Sequence, residues 1–193
     1  MRLFVLSRHA QSTLNRENRV NGDPSVAAPL TEQGRDEARL LGVQLRNLPL
    51  DACVHTRFGR TVETATVALE GRAVPFLEEP LFDDIAIGEL EGKTIDDYRA
   101  WKREHTRADR FPGGESLDEA AARYAQACRA LLDRSFACVL VVCHEIPVRY
   151  AVNAAAGSDD LDAPVHDIPN ATPVLFDEPA LARAARRIAE LAR

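Results

Sequence analysis

The chain has 193 residues, 46% hydrophobic and 28% charged, a length and balance suited to one globular domain with a sizeable core. Its 24 basic and 30 acidic residues give a net charge of −6, which excludes a general attraction to nucleic acid or to an anionic membrane surface. An anionic ligand would have to be held by local arginines against that sign.

The apolar stretches are too short to span a bilayer, and the opening residues lack the basic region and apolar run of a cleavable leader. A cytoplasmic location is expected. Cys53, Cys128, Cys138 and Cys143 form no CxxC pair, so neither a zinc site nor a redox motif is indicated, and Cys138 and Cys143 read as reduced core residues.

The run Leu3-Phe4-Val5-Leu6 reads as a strand buried on both faces. It stops at Ser7-Arg8-His9, followed by small polar residues that can open a helix whose free N–H groups would face an anion. Residues 16 to 29 are rich in Asn, Gly, Asp and Pro and read as a loop. Thr31 is a plausible cap for a helix carrying Ala38, Leu41, Leu45 and Leu48, ended by Pro49. Residues 51–55 form a second strand, and Thr56-Arg57-Phe58-Gly59-Arg60-Thr61 turns from it into a helix running to Leu69. A short strand is expected at 73–77, followed by an acidic, glycine-punctuated stretch.

Residues 93–112 have poor apolar periodicity and read as an exposed lid, with Tyr98 and Trp101 either its packing core or substrate contacts, and Lys102, Arg103 and Arg107 either on the substrate or in solvent. The lid-like insertion is bounded at about 93–115. An alanine-rich helix follows from Leu117 to Leu132. Residues 137–143 are the clearest strand, and His144 comes directly after it. A helix is expected from Arg149 to Ala156, a last strand near 172–176 and a closing helix over 181–191. Alternating strands and helices predict an α/β fold with a mainly parallel sheet.

Three strand ends thus carry Arg8-His9, Arg57 with Arg60, and His144, and in a parallel sheet those ends share one edge. The set offers a nucleophilic imidazole, guanidiniums shaped for phosphate oxygens and a second imidazole to offset charge on a transferring group. Such an imidazole must be neutral, with a carbonyl fixing the proton on its other nitrogen. A leaving alkoxide needs a proton, and the nearest carboxylates run from Asp83 and Asp84 to Glu89 and Glu91. His55 reads as structural, His105 and His166 as loop or surface residues, and the histidine spacing suggests no metal site. Arg57 is either a second binding arginine or a solvated one.

Arg8-His9-Ala10-Gln11-Ser12-Thr13-Leu14-Asn15 resembles the signature of the histidine phosphatase superfamily, in the branch of cofactor-dependent phosphoglycerate mutase and its phosphatase relatives, departing from Arg-His-Gly only at Ala10. The likeness continues through Leu30-Thr31-Glu32-Gln33-Gly34, Thr56 to Ala65 with Arg60, Gly88 with Glu91-Gly92, Gly114-Glu115-Ser116, Val142-Cys143-His144 with Arg149, and Asn170. It implies a single domain over 1–193 with the three-layer, phosphoglycerate mutase-like α/β/α fold. It further implies a phosphohistidine at His9, phosphoryl binding by Arg8, Arg60 and His144, assistance from Asn15, and Ser12, Glu115 and Ser116 on the substrate side. Glu115 and Ser116 serve equally well as a capping start for the helix that follows.

The resemblance implies neither metal nor cofactor, and a small phosphorylated metabolite as the partner. Two departures stand out. Asp84 occupies the position of the family's glutamate acid, one methylene shorter, with Glu145 as a rival acid; and Glu145-Ile146-Pro147 replaces residues that are often glycines, adding a carboxylate beside the phosphate pocket. The expected function is a phosphatase of small phosphomonoesters. The alternatives are a 2,3-bisphosphoglycerate-dependent phosphoglycerate mutase, suggested by residues 15–19, and a non-catalytic phospholigand-binding module. An apolar edge strand or helix leaves a homodimer open.

Overall fold

In the computed structural model, which describes residues 2–192, five strands form one sheet. They are β1 (Leu3–Arg8), β2 (Ala52–His55), β3 (Phe76–Glu78), β4 (Cys138–Cys143) and β5 (Pro173–Asp177), in the order β3-β2-β4-β1-β5. All neighbours are parallel except β5, which runs antiparallel to β1. The helices are α1 (Thr13–Arg16), α2 (Glu32–Leu45), α3 (Gly59–Ala68), α4 (Ile95–Glu104), α5 (Leu117–Asp133), α6 (Glu145–Ala155) and α7 (Glu178–Leu191).

Alternation along the strands builds two cores. Phe4 and Leu6 of β1, Val54 of β2, and Val139 and Val141 of β4 join α5, α6 and α7 on one face. Val5, Cys53, Leu140 and Val142 join α2 and α3 on the other. Successive side chains of a strand point to opposite faces, so an uninterrupted apolar run is what a sheet covered on both sides requires. The result is the expected three-layer α/β/α architecture. All four cysteines are buried and free.

The layout also places a crevice. The chain leaves β1 toward the α2 face and leaves β4 toward the α6 face, although the two strands lie side by side. Connections that diverge between adjacent parallel strands open a cleft at their carboxyl ends. The register pairs Arg8 with Cys143, and His9 N–H donates to Cys143 O at 2.9 Å, so His9 and His144 leave the sheet at the same level.

Three elements depart from the sequence expectation. Helix α6 starts at Glu145 rather than Arg149: Pro147 falls in its first turn, where the missing N–H has no partner to lose. Residues 93–112, read as an exposed lid of poor apolar periodicity, hold α4, opened by a reciprocal cap in which Thr94 accepts from Asp97 N–H and Asp97 accepts from Thr94 N–H. Its apolar stripe is only a few residues wide, yet Tyr98 and Trp101 lie against Phe111, with ring centroids 5.5 and 4.1 Å away. The third strand is shifted to Phe76–Glu78.

Helix α2 is tied to the segment after β1 by a close approach. A Cβ on Gly34 would lie 2.1 Å from Gln11 O. Gly34→Ala would stabilise an isolated helix by about 1 kcal/mol. Here it is expected to destabilise the protein by roughly 1–3 kcal/mol through overpacking; a gain in a chemical-denaturation measurement would contradict the packing described.

Candidate active site

A cleft of about 710 Å³ opens where β1 and β4 end, lined by Arg8, His9, Arg60, Asp84, Glu145 and Arg149 among others. His9 is 3% exposed. Its Nδ1 lies 2.8 Å from Ala10 O, which fixes the proton there and leaves a lone pair on Nε2. Arg60 Nε–H donates to that lone pair at 3.0 Å. Burial, then the charges of Arg60 and Arg8, push the His9 pKa well below the ordinary 6.5. The imidazole is therefore neutral and its basic nitrogen points at a cation.

Arg60, from the first turn of α3, is 4% exposed and joins the other groups. Its Nη2 donates to Asp84 Oδ2 at 3.1 Å, to Asn21 O at 3.1 Å and to His144 Nδ1 at 3.2 Å, while Nη1 donates to Asn21 Oδ1. Its guanidinium also lies over the Phe58 ring, 4.3 Å from the centroid. Glu91 fixes the loop that meets it, accepting from Asn21 Nδ2 at 2.8 Å, Gly22 N–H at 2.7 Å and Asp23 N–H at 3.0 Å.

His144 is fully buried at the start of α6, its ring centroid 5.5 Å from that of His9. A hydroxyl chain sets its tautomer. Thr61 Oγ1 donates to Phe58 O at 2.8 Å, so Thr56 Oγ1 donates to Thr61 Oγ1 and is left to accept from His144 Nε2–H at 3.0 Å. The lone pair on His144 Nδ1 then faces Arg60. Burial first, then Arg60, push its pKa well below the ordinary value too.

Asp84 sits 3.4 Å from His144 Nδ1 through Oδ2 and accepts from Ile85 N–H at 3.1 Å through Oδ1. Burial raises its pKa against the pull of Arg60. A carboxyl so placed holds a proton more readily than an ordinary aspartate, and the shorter side chain still reaches the Arg60–His144 pair. Glu145 differs: Oε1 lies 2.6 Å from Arg149 and Oε2 3.3 Å from Arg8. Both its oxygens are taken by guanidiniums.

Arg8 donates through Nη1 to Ile168 O at 2.7 Å, while its Nε is buried without a partner among the described residues. Asn15 and Ser12 line the cleft but chiefly bond one another, Ser12 Oγ donating to Asn15 Oδ1 at 3.0 Å. Asn170 Nδ2 donates to His9 O at 2.7 Å and anchors the strand end.

The remaining candidates fall as follows. Ser116 is the N-cap of α5, and Glu115 accepts from Ala86 N–H at 3.0 Å and pairs with Arg123, so neither lines the cleft. The helix start expected to cradle an anion is the four-residue α1, and the N–H groups of Thr13 and Asn15 are taken by Pro29 O and Ser12 Oγ. Arg57 pairs with Asp83 and is half exposed, outside the cleft. Arg107 is held by Asp118, Asp162 and the Tyr150 hydroxyl, whereas Lys102 and Arg103 do line the cleft, with exposed His166 at its edge. His55 bonds Thr56 O and His105 stacks on Trp101. Asn21 and Glu91 support Arg60 through a turn whose sequence carries no mark of that role, while Thr56 was legible only as a hydroxyl at a strand end.

No group of three or more His, Cys, Asp or Glu that would hold a metal ion occurs among the described residues. No described helix is long and apolar enough to cross a membrane.

The family model for the histidine phosphatase superfamily (branch 1) matches residues 4–178. The chain belongs to that superfamily. It is similar to 2,3-bisphosphoglycerate-dependent phosphoglycerate mutase 2 of Gloeobacter violaceus, 36% identical over 135 residues, covering 64% of this chain and 60% of that protein. The chain spans about three fifths of the length of the curated relatives it matches. Among solved structures it resembles Bacillus stearothermophilus YhfR, with a TM-score of 0.78 at 25% identity over 92% of this chain and 91% of that one. The alpha-ribazole phosphatase of Shigella flexneri shares the fold, with a TM-score of 0.79 at 20% identity over 91% and 90%. The relatives named for their reactions include both a phosphatase and a mutase.

The burial of His9 fixes a titration. Its imidazole is expected to stay neutral, with the proton on Nδ1, well below the pH at which an ordinary histidine takes up its second proton. Long-range ¹H–¹⁵N NMR correlations read both features; a midpoint near 6.5 would contradict the site described.

Proposed function

We propose that this chain is a phosphatase that hydrolyses small phosphomonoesters through a phosphohistidine on His9, without metal or cofactor. The observation that carries the reading is the neutral Nε2 of His9 set against Arg60, with Arg8, His144 and Asp84 around it. A phosphoryl group entering between Nε2 and Arg60 takes over the guanidinium's donors through its oxygens. The Nε2 lone pair attacks phosphorus, the ester P–O bond breaks, and Asp84 gives its proton to the departing oxygen. The Nδ1–H stays on Ala10 O and supports the positive charge building in the ring.

In the second step water attacks the phosphohistidine while the Asp84 carboxylate takes its proton. The P–N bond breaks, and phosphate, neutral His9 and protonated Asp84 are restored. A covalent intermediate divides one difficult displacement into two. Positioning and preset positive charge supply most of the acceleration.

Mutase action is the second reading, favoured by the phosphoglycerate mutase named among the relatives. Hydrolysis ranks above it because it asks only that water reach the phosphohistidine, whereas a mutase must exclude water and retain a bisphosphate. The chain also has a short segment between Gly92 and Pro112, which holds only α4. The position of Asp84 beside Arg60 and His144 weighs against a binding module that has lost its acid.

In EDTA, release of inorganic phosphate from p-nitrophenyl phosphate and small phosphate esters is expected, with no isomerisation of 3-phosphoglycerate whether or not bisphosphoglycerate is added. Isomerisation dependent on bisphosphoglycerate with little release would make it a mutase, and no reaction in either channel would contradict both enzyme readings. Asp84→Asn is expected to slow esters with poor leaving groups roughly 10²–10⁴-fold, and p-nitrophenyl phosphate far less. An equal loss on both classes would remove Asp84 as the acid.

A further inference from the structure

Glu145 is the first residue of α6, directly after His144. A carboxylate in a first helical turn favours the helix dipole, and that is the plain reason for it to be there. Its contacts go further. Oε1 lies 2.6 Å from Arg149 Nη1 and Oε2 lies 3.3 Å from Arg8 Nη1, so one side chain bridges two arginines of the cleft.

Both arginines carry other acidic partners. Asp162 lies 2.7 Å from Arg149 Nη2, and Asp167 lies 3.6 Å from Arg8 Nη1. Asp162 is shared with Arg107 and, at 3.9 Å, with Lys102, and Asp167 is exposed, so Glu145 is the carboxylate that stands between the two cleft arginines. Among the described residues Arg8 and Arg149 each keep a buried Nε without a partner, while the terminal nitrogens of Arg149 are engaged by Glu145, Asp162 and His166 O. A phosphoryl group can draw on Arg8 and Arg60. A second anion on the same small molecule, turning toward Arg149, meets Glu145 instead.

We propose that Glu145 is a specificity-determining residue: it bars phosphomonoesters with a second anionic group close to the phosphate and leaves the cleft to esters with a hydroxyl-bearing or apolar body. This rests on the phosphatase reading of the site. A hydroxyl beside the phosphate can donate to the Glu145 carboxylate, and an apolar body meets Val20, Ile85, Ile87 and Ile146, which line the same cleft. Rejection comes from a like charge placed in the way, not from a lack of contacts.

The test uses matched ligands on the whole chain. Glycerol 3-phosphate and 3-phosphoglycerate differ only where a hydroxymethyl group replaces a carboxylate; propylphosphonate and 3-phosphonopropionate form a similar pair that cannot be hydrolysed. The wild-type protein is expected to prefer the member without the carboxylate in both pairs, by kcat/KM for the esters and by calorimetric affinity for the phosphonates. Glu145→Gln is expected to shift both ratios roughly tenfold toward the carboxylate-bearing member, mainly through KM, and Glu145→Asp to restore the original preference.

Ratios within about twofold of wild type in the folded Glu145→Gln protein would overturn the proposal, because a helix-stabilising role lowers the melting temperature and treats both ligands alike. A wild-type protein that binds 3-phosphonopropionate more tightly would also overturn it. If neither ester releases phosphate while the phosphonate preference shifts as stated, the phosphatase reading fails and the charge filter stands.

Discussion

The arrangement of the cleft depends on one buried cation. Arg60 is almost fully enclosed, and a guanidinium removed from water must have its N–H groups met by other means. Among the described residues one carboxylate, Asp84, touches it; the remaining acceptors are Asn21, His9 Nε2 and His144 Nδ1. Two imidazoles that each offer a lone pair to the same cation must both be neutral, and each must carry its proton on the far nitrogen. The Ala10 carbonyl and the Thr56 hydroxyl receive those protons. The tautomers suited to attack on phosphorus thus follow from satisfying Arg60.

That constraint reaches into the fold. Arg60 arrives from the first turn of α3, His9 from the end of β1 and His144 from the end of β4. Thr64, one turn further along α3, accepts from Ala10 N–H at 3.0 Å, and Asn170 holds the His9 carbonyl. Three neighbouring strands in parallel register, with helices leaving on opposite faces, deliver the groups to one point without a long loop carrying any of them. Groups held by regular elements move little relative to one another, which suits catalysis that works mainly by position and fixed charge.

Much of this was legible in the sequence because the strands are buried on both faces and announce themselves as apolar runs. The motifs at their ends fall where an α/β sheet binds ligands, so Arg8, His9, Arg60 and His144 converge as the order of elements suggests. What was hidden is hidden for physical reasons. Pro147 looks like a helix break and is harmless in a first turn. Helix α4 buries only a narrow stripe, and its stability comes from the Thr94–Asp97 cap and the Phe111 ring, both outside a periodicity reading. Ser116 caps a helix and Glu115 pairs with Arg123, roles that look the same in sequence as contacts to a substrate. Asn21 and Glu91 act through a turn, and 69 residues separate Glu91 from the Gly22 N–H it accepts from. Glu145 and Asp84 were two carboxylates with one role between them, and only the geometry parts them: one has both oxygens on arginines, the other is half-buried beside His144 and Arg60 with its pKa raised.

The claim that bears most weight is that neutral His9 takes the phosphoryl group. It is tested most directly by mixing the protein with excess p-nitrophenyl phosphate, quenching in alkali within the first turnovers, and measuring peptide masses. The account predicts one added phosphoryl group on His9, stable in alkali and lost in acid, and none in the His9→Ala protein. A phosphoryl group on any other residue, or turnover retained in His9→Ala, would contradict it.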